Sequence, residues 1–329
     1  YIYNKDDDRL LKYLDDDGFL IEPEYYVPII PMILVNGCEG IGTGYSTYVP
    51  KFNPIDIIDN LITKINGGKF VDMKPWFKGF VGSIGKLEKN IYYSRGTYEL
   101  KNNKLHITEL PLFVWTENFK EFLDDLKVEN IIADYDNNCT ESKINFVIKL
   151  KDYDNNDFIT DSEGFNAIEK KFGLINKINF NNMHLYDSNN KIQKFDSVKD
   201  ILEEFYKTRT VYYNKRKKLL IDTLQSELDI ISSKIKFINM VISKKVNLLN
   251  IPKKDLIEIL KKNDLLILPD ESPYDYLIRL PFYTFTKEKI DELKEDFDKK
   301  EKLLDQIKKK TIEKMWLEDL ANLREMIKS

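Results

Sequence analysis

The sequence has few of the residues that build disulfide frameworks and metal sites. It contains two cysteines, Cys38 and Cys139, and two histidines, His106 and His184. Two cysteines make neither a disulfide framework nor a four-cysteine zinc site, and two histidines exclude a histidine-rich metal site. The low cysteine content predicts a reducing compartment.

Long apolar runs and an excess of one charge are also missing. Because no stretch of about 18 apolar residues occurs, we expect no membrane-spanning helix. The 51 basic and 55 acidic side chains among 329 residues give a net charge of −4, so bulk charge neither favours nor excludes a nucleic-acid partner. A hydrophobic content of 42% is enough for folded cores, and the length predicts about two or three domains.

The spacing of apolar residues predicts two short helices in the first half of the chain. Apolar side chains recur every three or four residues between Pro54 and Gly67, and again between Phe119 and Leu126. Proline suits the first turn of a helix and glycine its end. In contrast, the apolar run Met32–Val35 predicts a short buried strand.

Other segments of the same region predict strands. Residues 144–150 alternate apolar and polar side chains, as a half-buried strand does. Shorter apolar segments also predict strands, at residues 92–93, 98–100 and 105–107. The polar turn Lys101–Lys104 joins the last two. This mixture predicts an α+β domain over residues 51–196.

After residue 197 the apolar residues follow steps of three and four, the heptad spacing of a helix that packs along one stripe. The stripe consists of Ile221, Leu224, Leu228, Ile231, Ile235, Ile238 and Ile242. No proline or glycine interrupts residues 197–248, which predicts a helix of roughly 78 Å.

A second stripe near the end of the sequence can pack against this helix. Its members are Ile290, Leu293, Phe297, Leu304 and Ile307, with Lys300 at an interrupting position. We predict an antiparallel coiled coil within the chain, capped by a compact helical region at residues 251–285. A parallel coiled coil between two chains is the alternative, but it leaves the second stripe without a partner.

A glycine cluster at residues 36–44 resembles a nucleotide-binding loop only superficially. No Lys with Ser or Thr follows its last glycine, and Gly42 and Gly44 are too close for the dinucleotide fingerprint. The spacing does permit a tight reversal with one aliphatic side chain, Ile41, between glycines. That side chain is either a buried plug or an outward wedge, and the sequence alone favours the plug.

Charged residues cluster at three places. The acidic runs Asp6–Asp8 and Asp15–Asp17 follow no apolar strand, so we interpret them as solvated surface and not as a metal site. Six basic residues lie within twelve positions between Lys207 and Lys218, interleaved with Tyr212 and Tyr213. They are either the solvated face of the long helix or a contact with phosphates, which would make nucleic-acid affinity salt-dependent.

Four collinear segments resemble eukaryotic DNA topoisomerase II, a type IIA topoisomerase. They are Glu22–Thr47, Ile107–Thr116, the pair Phe205–Arg209 and Arg216–Lys217, and Met315–Leu320. The family passes one DNA duplex through a transient break in another. The resemblance implies that residues 1–50 end a winged-helix region, 51–196 form a tower domain, and 197–329 form a coiled coil with a helical dimer gate.

The resemblance also implies three DNA-binding residues. Ile41 matches the family's wedge isoleucine, which intercalates and helps to bend the duplex. Trp115 matches a DNA-contacting tryptophan, although Phe113 replaces the family's arginine two positions before it; a core aromatic is the alternative role. Lys177 is the only charge in residues 173–182, which match a DNA-contacting loop weakly.

The family's nucleophile and metal site are not found in this sequence. Tyr1 lies in a context similar to that of the catalytic tyrosine, but Asn4 stands where the family has threonine. We therefore expect the nucleophile upstream of this chain, and Mg²⁺ and ATP to bind other domains of a longer, homodimeric nuclear enzyme. The partner implied is double-stranded DNA, and the competing hypothesis is a coiled-coil scaffold that binds no DNA.

Overall fold

The computed structural model describes residues 1–151, 157, 159–246, 248, 251–268 and 272–328. The chain divides into two compact units: unit 1 comprises Tyr1–Ile29 and Arg209–Asn322, and unit 2 comprises Ile30–Thr208 and Leu323–Ser329. The α-helices are α1 (Met32–Asn36), α2 (Pro54–Ile65), α3 (Thr116–Val128), α4 (Ala167–Lys171), α5 (Val198–Ile242), α6 (Lys253–Lys262), α7 (Asp275–Ile278), α8 (Lys287–Lys309) and α9 (Ile312–Lys328). Short 3₁₀ helices occur at Lys5–Leu10 and Phe282–Phe285.

The strands form small antiparallel sheets. They are β1 (Tyr13–Asp16), β2 (Phe19–Pro23), β3 (Cys38–Gly42), β4 (Tyr45–Val49), β5 (Ser83–Glu88), β6 (Ile91–Arg95), β7 (Thr97–Lys101), β8 (Lys104–Glu109), β9 (Ile132–Asn137), β10 (Phe146–Leu150), β11 (Ile175–Asn179), β12 (Met183–Tyr186) and β13 (Ile192–Phe195). Within unit 2 the strand orders are β7-β8-β10-β9 and β11-β6-β5, and β3-β4 and β12-β13 are two-stranded. In unit 1, β1 pairs with β2.

The four-stranded sheet carries one core of unit 2. The alternation in β10 buries Phe146, Ile148 and Leu150 against α3, as the sequence predicts. The predicted hairpin β7–β8 is also confirmed. Its turn residues Asn102 and Asn103 both have positive φ, the backbone that a tight two-residue hairpin turn requires.

Two predictions for the start of unit 2 have opposite outcomes. The helix expected after Pro54 is confirmed as α2, and the side chain of Asn53 caps it by accepting a hydrogen bond from the N–H of Ile55. The strand expected at Met32–Val35 is wrong, because these residues form the single helical turn α1. A four-residue apolar run has no period that separates a buried strand from a buried helical turn.

In unit 1 the long helix pairs with α8 in the antiparallel direction. The ammonium group of Lys217 donates to the carbonyl oxygen of Lys308 at 3.0 Å, and Lys300 lies 2.6 Å from Glu227. Residues later in α5 therefore lie beside residues earlier in α8, so the two helices are antiparallel. The apolar residues between them are Leu224, Leu228 and Leu304, with Ile221, Phe297 and Ile307 beside them.

Helix α5 ends six residues before the predicted Leu248. Lys244 adopts φ +59°, and the N–H of Lys245 donates to the carbonyl of Met240, so the chain reverses here. The reversal buries Val246 in a second cluster of unit 1 with residues of α6 and α7 such as Leu260 and Leu277. At 45 residues, α5 is still about 68 Å long.

Candidate nucleic-acid interface

Ile41 lies near the tip of the β3–β4 hairpin in unit 2. The two strands pair from Cys38 with Val49 to Gly42 with Tyr45, and the reversal itself falls at Thr43-Gly44. The Ile41 side chain is 93% exposed. A buried plug, which the sequence alone favours, is therefore wrong.

The glycines that flank Ile41 leave the surface around it open. A Cβ added at Gly40 would meet its nearest atom at 4.0 Å, and one added at Gly42 would meet its nearest atom at 3.7 Å. Both distances are ordinary contacts. At Gly37, in contrast, φ is +66° and an added Cβ would lie 2.9 Å from the carbonyl oxygen of Val49. Gly37 is thus required by the protein's own packing, whereas Gly40 and Gly42 are not.

Exposed apolar side chains surround Ile41. Tyr45, Tyr186 and Ile192 border the same shallow groove, whose volume is about 280 Å³. The N–H of His184 in β12 donates to the hydroxyl of Thr47 in β4 at 3.1 Å, so the two hairpins of unit 2 are joined. Sequence analysis missed these neighbours because the contact between β4 and β12 links residues far apart in the chain.

Trp115 is 72% exposed and stands directly before α3, so its alternative role as a core aromatic is wrong. Phe113, two positions earlier, has the positive φ of +66° that non-glycine residues rarely adopt. Its ring contacts the rings of Tyr48 and Phe77 edge-on, with centroid distances of 6.2 and 5.7 Å. Phe113 is thus uncharged and 48% exposed, and its ring packs on these two residues of unit 2.

Lys177 lies in a strand and not in a loop as the family resemblance implied. Strand β11 pairs with β6, where Lys177 is opposite Tyr93, and its ammonium group lies 3.3 Å from a carboxylate oxygen of Glu163. The side chain is exposed. Within the described ranges, no hydrogen bond, ion pair or ring contact joins Ile41, Trp115 and Lys177 directly.

Tyr48 contacts residues that neighbour Trp115 and Lys177 in the sequence, and its pKa is the most strongly shifted in the hairpin. Burial, with a smaller contribution from the negative charge of Glu39, raises the pKa of Tyr48 to about 12. The phenol is thus neutral over the whole physiological range. Its ring stacks on Phe180 at a centroid distance of 5.2 Å.

The basic stretch of α5 is divided between surface and interior. Lys207, Lys215 and Lys218 are exposed, which agrees with either predicted role. Arg209 and Arg216 have neither role, because Arg209 is 0% exposed and Arg216 is also buried. They are seven residues apart and so share one face of the helix.

The buried arginines pair with carboxylates of unit 1. Arg209 and Arg216 both donate to Asp7, and Arg216 also donates to Asp319 at 2.7 Å. Burial alone lowers the pKa of Arg216, but the hydrogen bonds to the two carboxylates more than offset this effect and raise it above its usual value. The interpretation of Asp6–Asp8 as surface is therefore wrong for Asp7, since a charge in the interior requires partners. Asp15–Asp17 are exposed as expected.

Metal clusters and membrane-spanning helices are absent from the described residues. No group of three or more His, Cys, Asp or Glu side chains there is arranged to hold a metal ion. No helix in that part of the chain is both long and apolar enough to cross a membrane.

Residues 1–321 match the family model that describes the A subunit of DNA gyrase/topoisomerase IV. The chain belongs to this family. Among curated members of the topoisomerase family, DNA topoisomerase 2 of Plasmodium falciparum is 37% identical over 99% of the chain and 26% of its own length. The mitochondrial DNA topoisomerase 2 of Dictyostelium discoideum is 36% identical, with the same coverage. The chain thus spans about a quarter of these relatives.

A solved topoisomerase structure matches the fold. The crystal structure of the Plasmodium falciparum topoisomerase II DNA-binding, cleavage and re-ligation domain superposes with a TM-score of 0.79 and 37% identity, over 99% of this chain and 48% of that one. The mixed α/β architecture with one long helix is therefore that of a topoisomerase II core. The family resemblance expected from the sequence is confirmed.

Proposed function

We propose that this chain is part of the DNA-binding, cleavage and re-ligation core of an ATP-dependent type IIA topoisomerase, in which it bends the duplex that is to be cut. The observation that carries the proposal is the 93% exposure of Ile41 between two side-chain-free positions, Gly40 and Gly42. An aliphatic side chain inserted at a base step unstacks it, at a cost of about a few kcal/mol, and the bent duplex then contacts more protein surface.

Trp115 and Lys177 complete the proposed DNA contact. Both are exposed in unit 2, where an indole can pack against the DNA backbone and an ammonium group can pair with a phosphate. The exposed lysines Lys207, Lys215 and Lys218 are further candidates for phosphate contacts.

The remaining parts of the proposal concern the longer enzyme. In it, residues 1–50 end the winged-helix region, 51–196 form the tower, and 197–329 form the coiled coil and the lower gate of a nuclear homodimer. The tyrosine nucleophile, Mg²⁺ and ATP belong to other parts of the parent protein. For the gate, Phe282 and Tyr283 are among the exposed apolar side chains of unit 1 and are our candidates for contact with a second copy.

The Ile41→Ala variant tests the proposal. Its melting temperature should equal that of the unchanged chain, because an exposed side chain contributes little to stability. The bend of a fluorescently labelled duplex should decrease on binding the variant. A scaffold that binds no DNA predicts no salt-sensitive binding by either protein, and unchanged bending by Ile41→Ala would refute the wedge.

A further inference from the structure

Three segments of unit 2 carry the proposed DNA-contacting residues, and aromatic rings connect them. Ile41 lies in the β3–β4 hairpin, Trp115 follows the turn after β8, and Lys177 lies in β11. An aromatic ring lies close to each of these residues. Tyr48 is two positions from Ser46, which pairs with Ile41 across the hairpin. Phe113 is two residues before Trp115, and Phe180 is three residues after Lys177. We call Tyr48, Phe113 and Phe180 the aromatic cluster.

Tyr48 is the member of the aromatic cluster that contacts both of the others. Its ring meets Phe113 edge-on at 6.2 Å and stacks on Phe180 at 5.2 Å with an interplanar angle of 27°. Its backbone N–H donates to the carbonyl of Asn182 at 2.8 Å. Tyr48 thus contacts both other segments, and Ser46 and Thr47 of the hairpin add hydrogen bonds to Asn182 and His184.

A hydrogen bond links the second and third segments to each other. The side-chain amide of Asn176, next to Lys177 in β11, donates to the carbonyl oxygen of Leu112 at 2.9 Å. The N–H of Leu112 in turn donates to the hydroxyl of Ser94 at 3.1 Å. The three segments are therefore connected pairwise, which restricts their movement relative to one another.

Phe113 has a strained backbone beside its ring contacts. A non-glycine residue at φ +66° is strained, and such a conformation persists where the surrounding contacts hold it. The contacts at this residue are the rings of Tyr48 and Phe77. Because Trp115 is only two residues further on, the same packing orients the start of α3.

From this geometry we propose that Tyr48 is a positioning residue for the DNA interface, whose ring holds the segments of Ile41, Trp115 and Lys177 at one spacing. The proposal rests on the proposed function for its role in DNA bending. DNA presents its base steps and phosphates at fixed distances, so a rigid spacing lets one duplex engage all three contacts without a further loss of conformational entropy.

Hydrogen exchange in the absence of DNA tests the positioning role separately from the function. In Tyr48→Ala, amide exchange should accelerate at residues 112–116 and 176–182 as well as in the hairpin. We expect acceleration by about two- to tenfold, because this factor corresponds to the loss of one aromatic pair. Tyr48→Phe keeps the ring and should exchange like the unchanged chain. Phe282→Ala removes a ring from unit 1 and should leave these segments unaffected. Acceleration confined to the hairpin would refute the proposal.

A double-mutant cycle tests the consequence for DNA binding. Phe113→Ala loosens the Trp115 segment without opening the hairpin, and should weaken affinity about two- to tenfold in the unchanged chain but little in a Trp115→Ala background. Additive losses would mean that Phe113 contacts DNA itself, and would overturn its place in the positioning cluster. If Ile41→Ala leaves bending unchanged, the proposed function fails, while the exchange result still decides whether Tyr48 couples the segments.

Discussion

The carboxylate of Asp7 accepts a hydrogen bond from Nε of Arg216 at 2.7 Å, and both side chains are buried. The same carboxylate is 2.7 Å from a guanidinium nitrogen of Arg209. Asp7 thus balances charge on two arginines of α5, while Asp319 pairs with one arginine, Arg216, and also accepts a hydrogen bond from the hydroxyl of Tyr213. This arrangement fixes the first residues of unit 1 to its longest helix.

Removing the charge of Asp7 should strongly destabilise unit 1. Asp7→Asn leaves two buried guanidinium groups with one carboxylate, and breaking a buried pair in this way costs about 3–5 kcal/mol. Urea denaturation should show the loss as a lower midpoint. The neighbouring Asp8 is exposed, and Asp8→Asn should change stability by no more than about 0.5 kcal/mol. Equal effects of the two variants would contradict the buried network.

A charge placed between α5 and α8 should separate these helices. Leu228 is 4% exposed and packs with Leu224 and Leu304, so Leu228→Asp buries an unpaired carboxylate and should cost several kcal/mol, on the order of 3–5. The exposed Ser226 lies on the same helix, and Ser226→Asp serves as the control. Circular dichroism melting should distinguish them, and equal melting temperatures would refute the packing.

The perturbed phenol of Tyr48 predicts a stability change at alkaline pH. Its pKa of about 12 in the folded chain exceeds the ordinary value of 10.0, so between these values the unfolded chain loses the proton first. The contribution of the neutral phenol to the free energy of unfolding is complete below pH 10 and is lost as the pH rises through 12. Tyr48→Phe should therefore lose stability less steeply in this window. Identical pH profiles of unfolding would contradict the burial of the phenol.

The salt dependence of DNA binding tests Lys177. A lysine that neutralises one phosphate contributes about 0.9 to the slope of log affinity against log salt concentration, so Lys177→Gln should lower the slope by that amount. Glu163 lies 3.3 Å from the same ammonium group and competes with phosphate for it. Glu163→Gln should consequently strengthen binding. An unchanged slope for Lys177→Gln together with an unchanged affinity for Glu163→Gln would exclude Lys177 from the interface.

Phe282 provides a test of the proposed gate. Its side chain is 92% exposed, so Phe282→Ser should leave the melting temperature of the isolated chain unchanged. Self-association measured by analytical ultracentrifugation should weaken. Val128→Ser removes a similarly exposed apolar side chain from unit 2 and should have no effect on association. Identical association of Phe282→Ser and the unchanged chain would exclude Phe282 from a dimer contact.

The periodic features of this fold could be predicted from the sequence, and the long-range contacts could not. Helix α2 and the pairing stripes of α5 and α8 repeat a local spacing, which a single sequence displays. The burial of Asp7 depends on Arg216, 209 positions away, and Asp7 stands in an acidic run that looks solvated. Charge alone gives no sign of which member of such a run turns inward.

The candidate site shows the same division. The glycine spacing alone favours a buried isoleucine, since a lone aliphatic residue is commonly buried, whereas the family resemblance implies an outward wedge. Tyr48 carries no motif at all. Its proposed positioning role depends on contacts with Phe113 and Phe180, which lie far from it in the sequence and pack on it only in the folded chain.

The open space around Gly40 and Gly42 distinguishes what the fold requires of this hairpin from what the proposed DNA contact requires. Nothing inside the protein needs either residue to lack a side chain, so a library of variants selected for folding alone should accept alanine at both positions while keeping Gly37. Selection in a strain that depends on the parent enzyme should retain all three. If the proposed function holds, the DNA duplex, and not the fold, requires glycine at positions 40 and 42.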